Sequence, residues 1–369
     1  MKRDINVEIL RIIAILFVIG THLKQGFYID GQLNFIRVFI ACLVGDGVAV
    51  YWAILGFFYF TGKNNSYTKR VGQAIKRIVL PLFIYSIIVF YFYDFIFENK
   101  DLILTHSLAE YKRLIYDGFI KWRIVTPAKV SYHLWFLNIY FLVVLLYPAL
   151  KGIYGEFFEN NSFKEDLKII GLLFVVLIIN DIKLNSLLKI SHSGISGVIG
   201  ASFFIFLGVV LYKNRETICK KITPVKAISI FLFTNIVRAI IQYNIFLRNP
   251  KINEPIFWYT CFSFINVIAI YALVVGVKEK IPELIDDYKE ILLYLSSLTY
   301  TVYFIQTPLI SYFGDRGITA YLRTFFGKSI GGSLLYEFLY ILIVFVCCMV
   351  IAFFLERILL WMKRITNFC

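Results

Sequence analysis

The sequence predicts an all-α, polytopic transmembrane helix bundle of about ten spanning helices and no soluble domain. Three observations predict it. Apolar residues make up 59% of the 369 positions and aromatic residues 18%, while only 17% are charged; soluble domains carry about a quarter charged residues. Mean hydropathy is +0.75. The apolar residues are also not spread as a soluble core would need: they fall in blocks of roughly twenty, the length that crosses a bilayer as a helix.

The expected spans are roughly 5–27, 38–61, 78–97, 134–150, 167–182, 195–212, 225–246, 256–276, 291–313 and 333–360. In hydrocarbon the backbone must satisfy its own hydrogen bonds, so each is expected as a helix. The second is punctuated by Gly45, Asp46, Gly47, Gly56 and Gly62, the pattern of a broken or re-entrant helix. The longest connection, 98–133, mixes charges with Leu114, Ile115, Phe119, Ile120 and Trp122, which suits an interfacial amphipathic helix. Residues 1–369 read as a single integral membrane domain, so any chemistry belongs within or at the edge of the bundle.

Net charge is +14 with a pI near 9.3. The cations sit between apolar blocks, and no nucleic-acid-binding motif accompanies them. Anionic headgroups of a lipid bilayer, or an anionic substrate, are the expected partners. The six cysteines show neither a Cys-x-x-Cys pair nor Cys/His ligand spacing, so neither a disulfide framework nor a metal site is expected. Lys2 and Arg3 precede an apolar run in the manner of a signal peptide. Arg11 interrupts that run and no small-x-small site follows, so an uncleaved first span is expected.

Loop cations set the orientation. Lys63, Lys69, Arg70, Lys76 and Arg77 cluster after the second span, and Lys213, Arg215, Lys220, Lys221 and Lys226 after the sixth. Placing both clusters inside puts both termini in the cytoplasm of a multi-pass cell-membrane protein.

The first span carries the chemistry-bearing residues. Arg11 and His22 are eleven positions apart, about three helical turns, so both lie on one face, roughly 16 Å apart along the axis. Glu8, three residues before Arg11, can pair with it along the helix. Charges in spans are costly and usually face a cavity or a partner. Two readings stay open on spacing alone. Arg11 and His22 serve a site, or Arg11 snorkels to headgroups while His22 marks the outer interface. Likewise, 69–77 can be an ordinary positive-inside loop, and His133 beside Trp135 an aromatic-belt residue. Arg238 is a further intramembrane charge.

Arg11-x10-His22 at the head of the first span resembles the signature of the acyltransferase-3 family of integral membrane acyltransferases. Gly47-Val-Ala-Val-Tyr51-Trp52-Ala-Ile-Leu-Gly56-Phe57, Lys69-Arg70 with Lys76-Arg77-Ile-Val-Leu-Pro81, His133-Leu134-Trp135-Phe136-Leu137, Ser193-Gly194 to Phe206-Leu207-Gly208, and Ser297-Leu-Thr-Tyr300 to Pro308 resemble further blocks in the same order. The chain departs from the family at Leu55, where serine is common, and at Gln306, where many members have histidine.

The resemblance implies transfer of an acyl group from a coenzyme A thioester to a hydroxyl, usually of a surface polysaccharide or glycolipid. Acetyl-CoA or succinyl-CoA would be the donor, and no metal would be needed. Arg11, Lys69, Arg70, Lys76 and Arg77 would meet the donor's phosphates. His22 would be the base, since histidine titrates near neutral pH; a covalent acyl-histidine is the variant chemistry. Glu8 would orient Arg11. His133, Trp135, Tyr303 and Gln306 are the candidates for touching the acceptor. A transporter of a glycan or lipid-linked sugar, using the same intramembrane charges and broken span, is the alternative function. A non-catalytic scaffold in polysaccharide export comes third. Acyl group, acceptor and oligomeric state are left open by the sequence.

Overall fold

A computed structural model describes residues 3–22, 27–29, 32–60, 66–91, 107, 109, 112, 134–182, 194–249, 260–326 and 329–366. Helices α1 (Ile5–His22), α2 (Phe35–Val44) and α3 (Gly47–Tyr59) open the chain. α4 (Tyr67–Ala74) runs through a π-helical turn at Ile75–Val79 into α5 (Leu80–Tyr91). Then come α6 (Trp135–Leu145), α7 (Tyr147–Phe157), α8 (Phe163–Ile182), α9 (Gly194–Lys213) and α10 (Arg215–Lys221). α11 (Pro224–Arg248), α12 (Cys261–Lys280), α13 (Pro282–Asp287), α14 (Lys289–Asp315), α15 (Ile318–Phe326) and α16 (Ile330–Thr366) complete it. A two-residue antiparallel β pair joins Tyr28 to Leu33 and Ile29 to Gln32.

Among the described residues, six helices are long and apolar enough to cross a membrane. They are Ile5–His22, Phe35–Tyr59, Ser196–Lys213, Pro224–Arg248, Cys261–Lys280 and Gly331–Ile358. A seventh follows if Trp135–Leu145 and Tyr147–Phe157 form one span bent by 69°. Pro148 accounts for the bend, because it brings no N–H and crowds the preceding turn. The sequence led to about ten. Helices stand at the three remaining expected positions, but α5 is described over only twelve residues. Lys164, Glu165, Asp166 and Lys168 charge the head of α8. Ser296, Ser297, Thr299, Thr301, Gln306 and Thr307 dilute the hydropathy of α14. The expected amphipathic helix at 114–122 lies outside the described residues.

The chain divides into two units: residues 1–47, 236–255 and 278–369, and residues 48–235 and 256–277. In the first, α1 packs chiefly on α14, and both contact α16. The interruption of the second span is real but short. α2 ends at Val44, Gly45 and Asp46 form a turn, and α3 starts at Gly47. A side chain at Gly47 would lie 2.6 Å from the Ala14 carbonyl oxygen and 2.8 Å from the Val18 nitrogen, so glycine lets this turn lie directly on the α1 backbone.

In the second unit, α3 and α9 cross backbone to backbone. A Cβ at Gly56 would sit 2.0 Å from the Ile205 carbonyl oxygen, and one at Gly208 would sit 2.0 Å from the Ala53 carbonyl oxygen. Small residues allow this closeness in membrane helices. Around the crossing Trp52 packs on Phe136 and Phe57 on Tyr212 and Tyr271. Gly56→Ala or Gly208→Ala should therefore lower the unfolding midpoint in detergent, by about 1–3 kcal/mol of overpacking. Gly171→Ala, with open space around it, should leave the midpoint unchanged or slightly raised.

Candidate active site

α1 places its polar residues at two depths. Near its start the Glu8 carboxylate is buried at 3% exposure and collects donors from three directions. Arg11 Nη1 donates to both carboxylate oxygens at 3.1 and 2.9 Å, the expected i, i+3 pair. Arg3 donates through Nε at 3.1 Å and Nη2 at 2.9 Å, and the Ser296 hydroxyl donates from α14. Arg3 also reaches the Leu293 carbonyl at 3.2 Å. A buried carboxylate is tolerable only when paired and hydrogen-bonded, and two guanidiniums and a hydroxyl meet that condition. Both guanidiniums keep partial access to solvent: the side chain of Arg11 is 34% exposed and that of Arg3 42%. Ser296 was not legible as a site residue, since nothing in the α14 sequence says which helix it opposes.

At the other end of α1, His22 Nδ1 lies 2.8 Å from the Val18 carbonyl oxygen and 3.3 Å from the Gln306 side-chain amide. A carbonyl only accepts, so Nδ1 carries a proton, and in the neutral ring the lone pair is on Nε2. Thr21, beside His22, donates to Phe17 and Val44 carbonyl oxygens, both at 2.9 Å. The second of these ties the free carbonyl end of α2 to the histidine turn. Gly20 packs under Val44 and Ile341, bringing α16 to the same level.

Glu8 with Ser296 and His22 with Gln306 are two ties between α1 and α14. Both helices therefore run in the same direction, with a cation-rich end and a histidine-bearing end. Ile15 and Val18 between them are buried. Gln306 is fully buried at 0% exposure. Tyr303, one turn earlier on α14, is buried with its ring near Phe304.

The first unit holds another buried charge pair. Arg238 Nη1 and Asp46 Oδ1 are 2.9 Å apart, with side chains 4% and 0% exposed. The sequence flagged Arg238 alone; Asp46 was read as helix punctuation. An acidic residue between two glycines inside an apolar run was the available signal, because an intramembrane cation calls for a counter-ion.

The remaining candidates lie in the second unit. Lys69, Lys76 and Arg77 are exposed along α4 and the π-helical turn. Arg70 is engaged differently: its guanidinium lies 4.1 Å from the Tyr147 ring centroid and donates to the Tyr59 carbonyl at 3.3 Å. Trp135 begins α6 and is half-buried. His133 lies outside the described residues.

The acyltransferase-3 family model, described as an acyltransferase domain, matches residues 4–354. Comparison with curated proteins and with solved structures gives no match. That single match spans both ends of α1, the interrupted second span, the basic 69–77 segment and the whole of α14. With its apolar helices, this makes the protein a membrane acyltransferase, and the chain belongs to the acyltransferase-3 family.

Proposed function

We propose that this protein is an acyl-CoA-dependent O-acyltransferase with His22 as general base. It moves an acetyl or succinyl group to a hydroxyl of a cell-surface polysaccharide or glycolipid. His22 carries the proposal: its Nδ1–H is held by the Val18 carbonyl at 2.8 Å, so in the neutral ring Nε2 is the nitrogen whose lone pair can take a proton. The acceptor hydroxyl gives that proton to Nε2 while its oxygen adds to the thioester carbonyl carbon. The carbon–sulfur bond then breaks, and the departing thiolate takes the proton back from the imidazolium. In the variant chemistry, Nε2 itself adds to the thioester carbonyl, and the carbon–sulfur bond breaks to release the coenzyme A thiolate. The acceptor hydroxyl then displaces Nε2 from the acyl-histidine, its proton going to the thiolate.

Arg11 contributes a cation oriented by Glu8, for the phosphates of the donor. Lys69, Lys76 and Arg77 are exposed cations suited to the same phosphates. Arg70, stacked on Tyr147, would have to serve from that aromatic platform. Trp135, Tyr303 and His133 are proposed contacts of the acceptor. Both termini are proposed to face the cytoplasm of the cell membrane, where acyl-CoA is made available.

Membranes containing the protein, incubated with radiolabelled acetyl-CoA and succinyl-CoA in parallel, should pass one label to glycan. Label in neither product sinks acyl-CoA-dependent transfer. The buried pair between Asp46, at the break of the second span, and Arg238 on α11 is a feature a transporter would also use. Glycan movement by the purified protein without consumption of acyl-CoA would favour that function.

A further inference from the structure

The Gln306 carboxamide has more hydrogen-bonding capacity than its surroundings use. Its side chain is fully buried. As placed, the amide nitrogen faces His22 Nδ1 at 3.3 Å, and the amide oxygen has no partner among the described residues. An amide buried with one end unmade is costly, about 1–3 kcal/mol, so such a group asks for a ligand.

Which end is spare follows from the tautomer. Nδ1 already carries a proton, because it faces the Val18 carbonyl. A second donor cannot pair with it, whereas the amide oxygen can accept a share of that proton. Oxygen towards the ring and nitrogen away is the complementary orientation, reached by a half-turn of the terminal amide. It leaves an N–H donor pair buried beside the histidine.

We infer that Gln306 donates from its amide nitrogen to the carbonyl oxygen of the acyl thioester, stabilising the oxyanion formed there. This rests on the acyl-transfer reading of His22. When the acceptor oxygen adds to the carbonyl carbon, the π pair moves onto oxygen and the amide N–H meets that growing charge. When the pair returns, the carbon–sulfur bond breaks and the donor hydrogen bond weakens. A buried donor fixed beforehand needs no reorganisation at that moment, the condition under which such groups act most strongly. The same carboxamide thereby holds the base by its oxygen and the electrophile by its nitrogen.

Gln306→Glu separates this from mere positioning of His22. A carboxylate accepts from Nδ1–H at least as well as the amide, so an orienting role predicts activity retained or raised. An oxyanion donor is instead replaced by an acceptor. The expected result is a fall in kcat of about 100- to 1000-fold, the usual loss of one such donor, with KM for donor and acceptor little changed.

Gln306→Met, of similar volume and without a buried charge, covers the case in which the glutamate variant does not fold. Its partner measurement uses hydroxylamine, a nucleophile that needs no general base. The Gln306→Met deficit should persist when hydroxylamine captures the acyl group as hydroxamate. Full rescue by hydroxylamine, or full activity of Gln306→Glu, overturns the inference while leaving acyl transfer intact. A folded wild-type protein that passes label to neither glycan nor hydroxylamine overturns acyl transfer itself.

Discussion

His22→Ala should abolish acyl transfer while the protein still inserts and folds. His22 is the last residue of α1 and is only half-buried. Its bonds include those to the Val18 carbonyl of its own helix and to Gln306. Removing the ring therefore leaves the core of the first unit in place, where Leu10, Ala14, Ile15, Val18 and Ile19 are buried. A general base contributes about 100- to 10,000-fold, so kcat should fall by that much with the melting temperature in detergent nearly unchanged. His22→Asn is the sharper control. Its side-chain nitrogen can still donate to the Val18 carbonyl, but no lone pair replaces Nε2. Both variants should be equally inactive. Glycan labelling at more than a tenth of the wild-type rate by a folded His22→Asn protein would remove His22 from the chemistry.

The second large effect concerns stability. Asp46→Asn takes the carboxylate away from the buried Arg238 guanidinium, 2.9 Å distant. Breaking a buried pair from one side costs about 3–5 kcal/mol, because a charge is left without its counter-ion. Arg238→Met should cost a similar amount. The double variant Asp46→Asn/Arg238→Met removes both charges and should recover much of the loss, since apolar replacement of a whole buried pair is often near neutral. Thermal unfolding of the four proteins in one detergent gives the coupling energy of the cycle directly. Additive losses in the double variant would show that the pair does not stabilise the fold as a unit. Function should suffer as well. The Gly45–Asp46 turn is followed by Gly47, which lies on Ala14 and Val18, and Val44 accepts from Thr21 beside His22. Loosening that turn shifts the frame that holds His22.

These two effects differ in how far the sequence foretold them. His22 was placed by arithmetic within one helix. Its distance from Arg11 and the i, i+3 relation of Glu8 to Arg11 follow from 3.6 residues per turn, and the structure keeps both. The family resemblance carried by Arg11-x10-His22 and the blocks after it is matched by the family model over residues 4–354 of the chain. The glycine-punctuated second span is interrupted where Gly45 and Asp46 stand. The count of spans was less legible. Apolar blocks in α8 and α14 were long enough to be expected as spans, yet charge in one and hydroxyls in the other separate them from the six helices that, among the described residues, meet the length and hydropathy of a span.

By itself, then, the sequence determined a multi-helix membrane protein, the polar face of its first helix and the family. A fixed helical period relates only residues on the same segment. Tertiary structure alone decided what each polar residue meets: Ser296 on Glu8, Gln306 on His22 and Arg238 on Asp46, separated by 288, 284 and 192 positions. No periodicity reaches across such distances. Hydrocarbon gives apolar helix faces little preference for one neighbour over another, so those partnerships are set by close packing at glycines and by the need to pair buried polar groups.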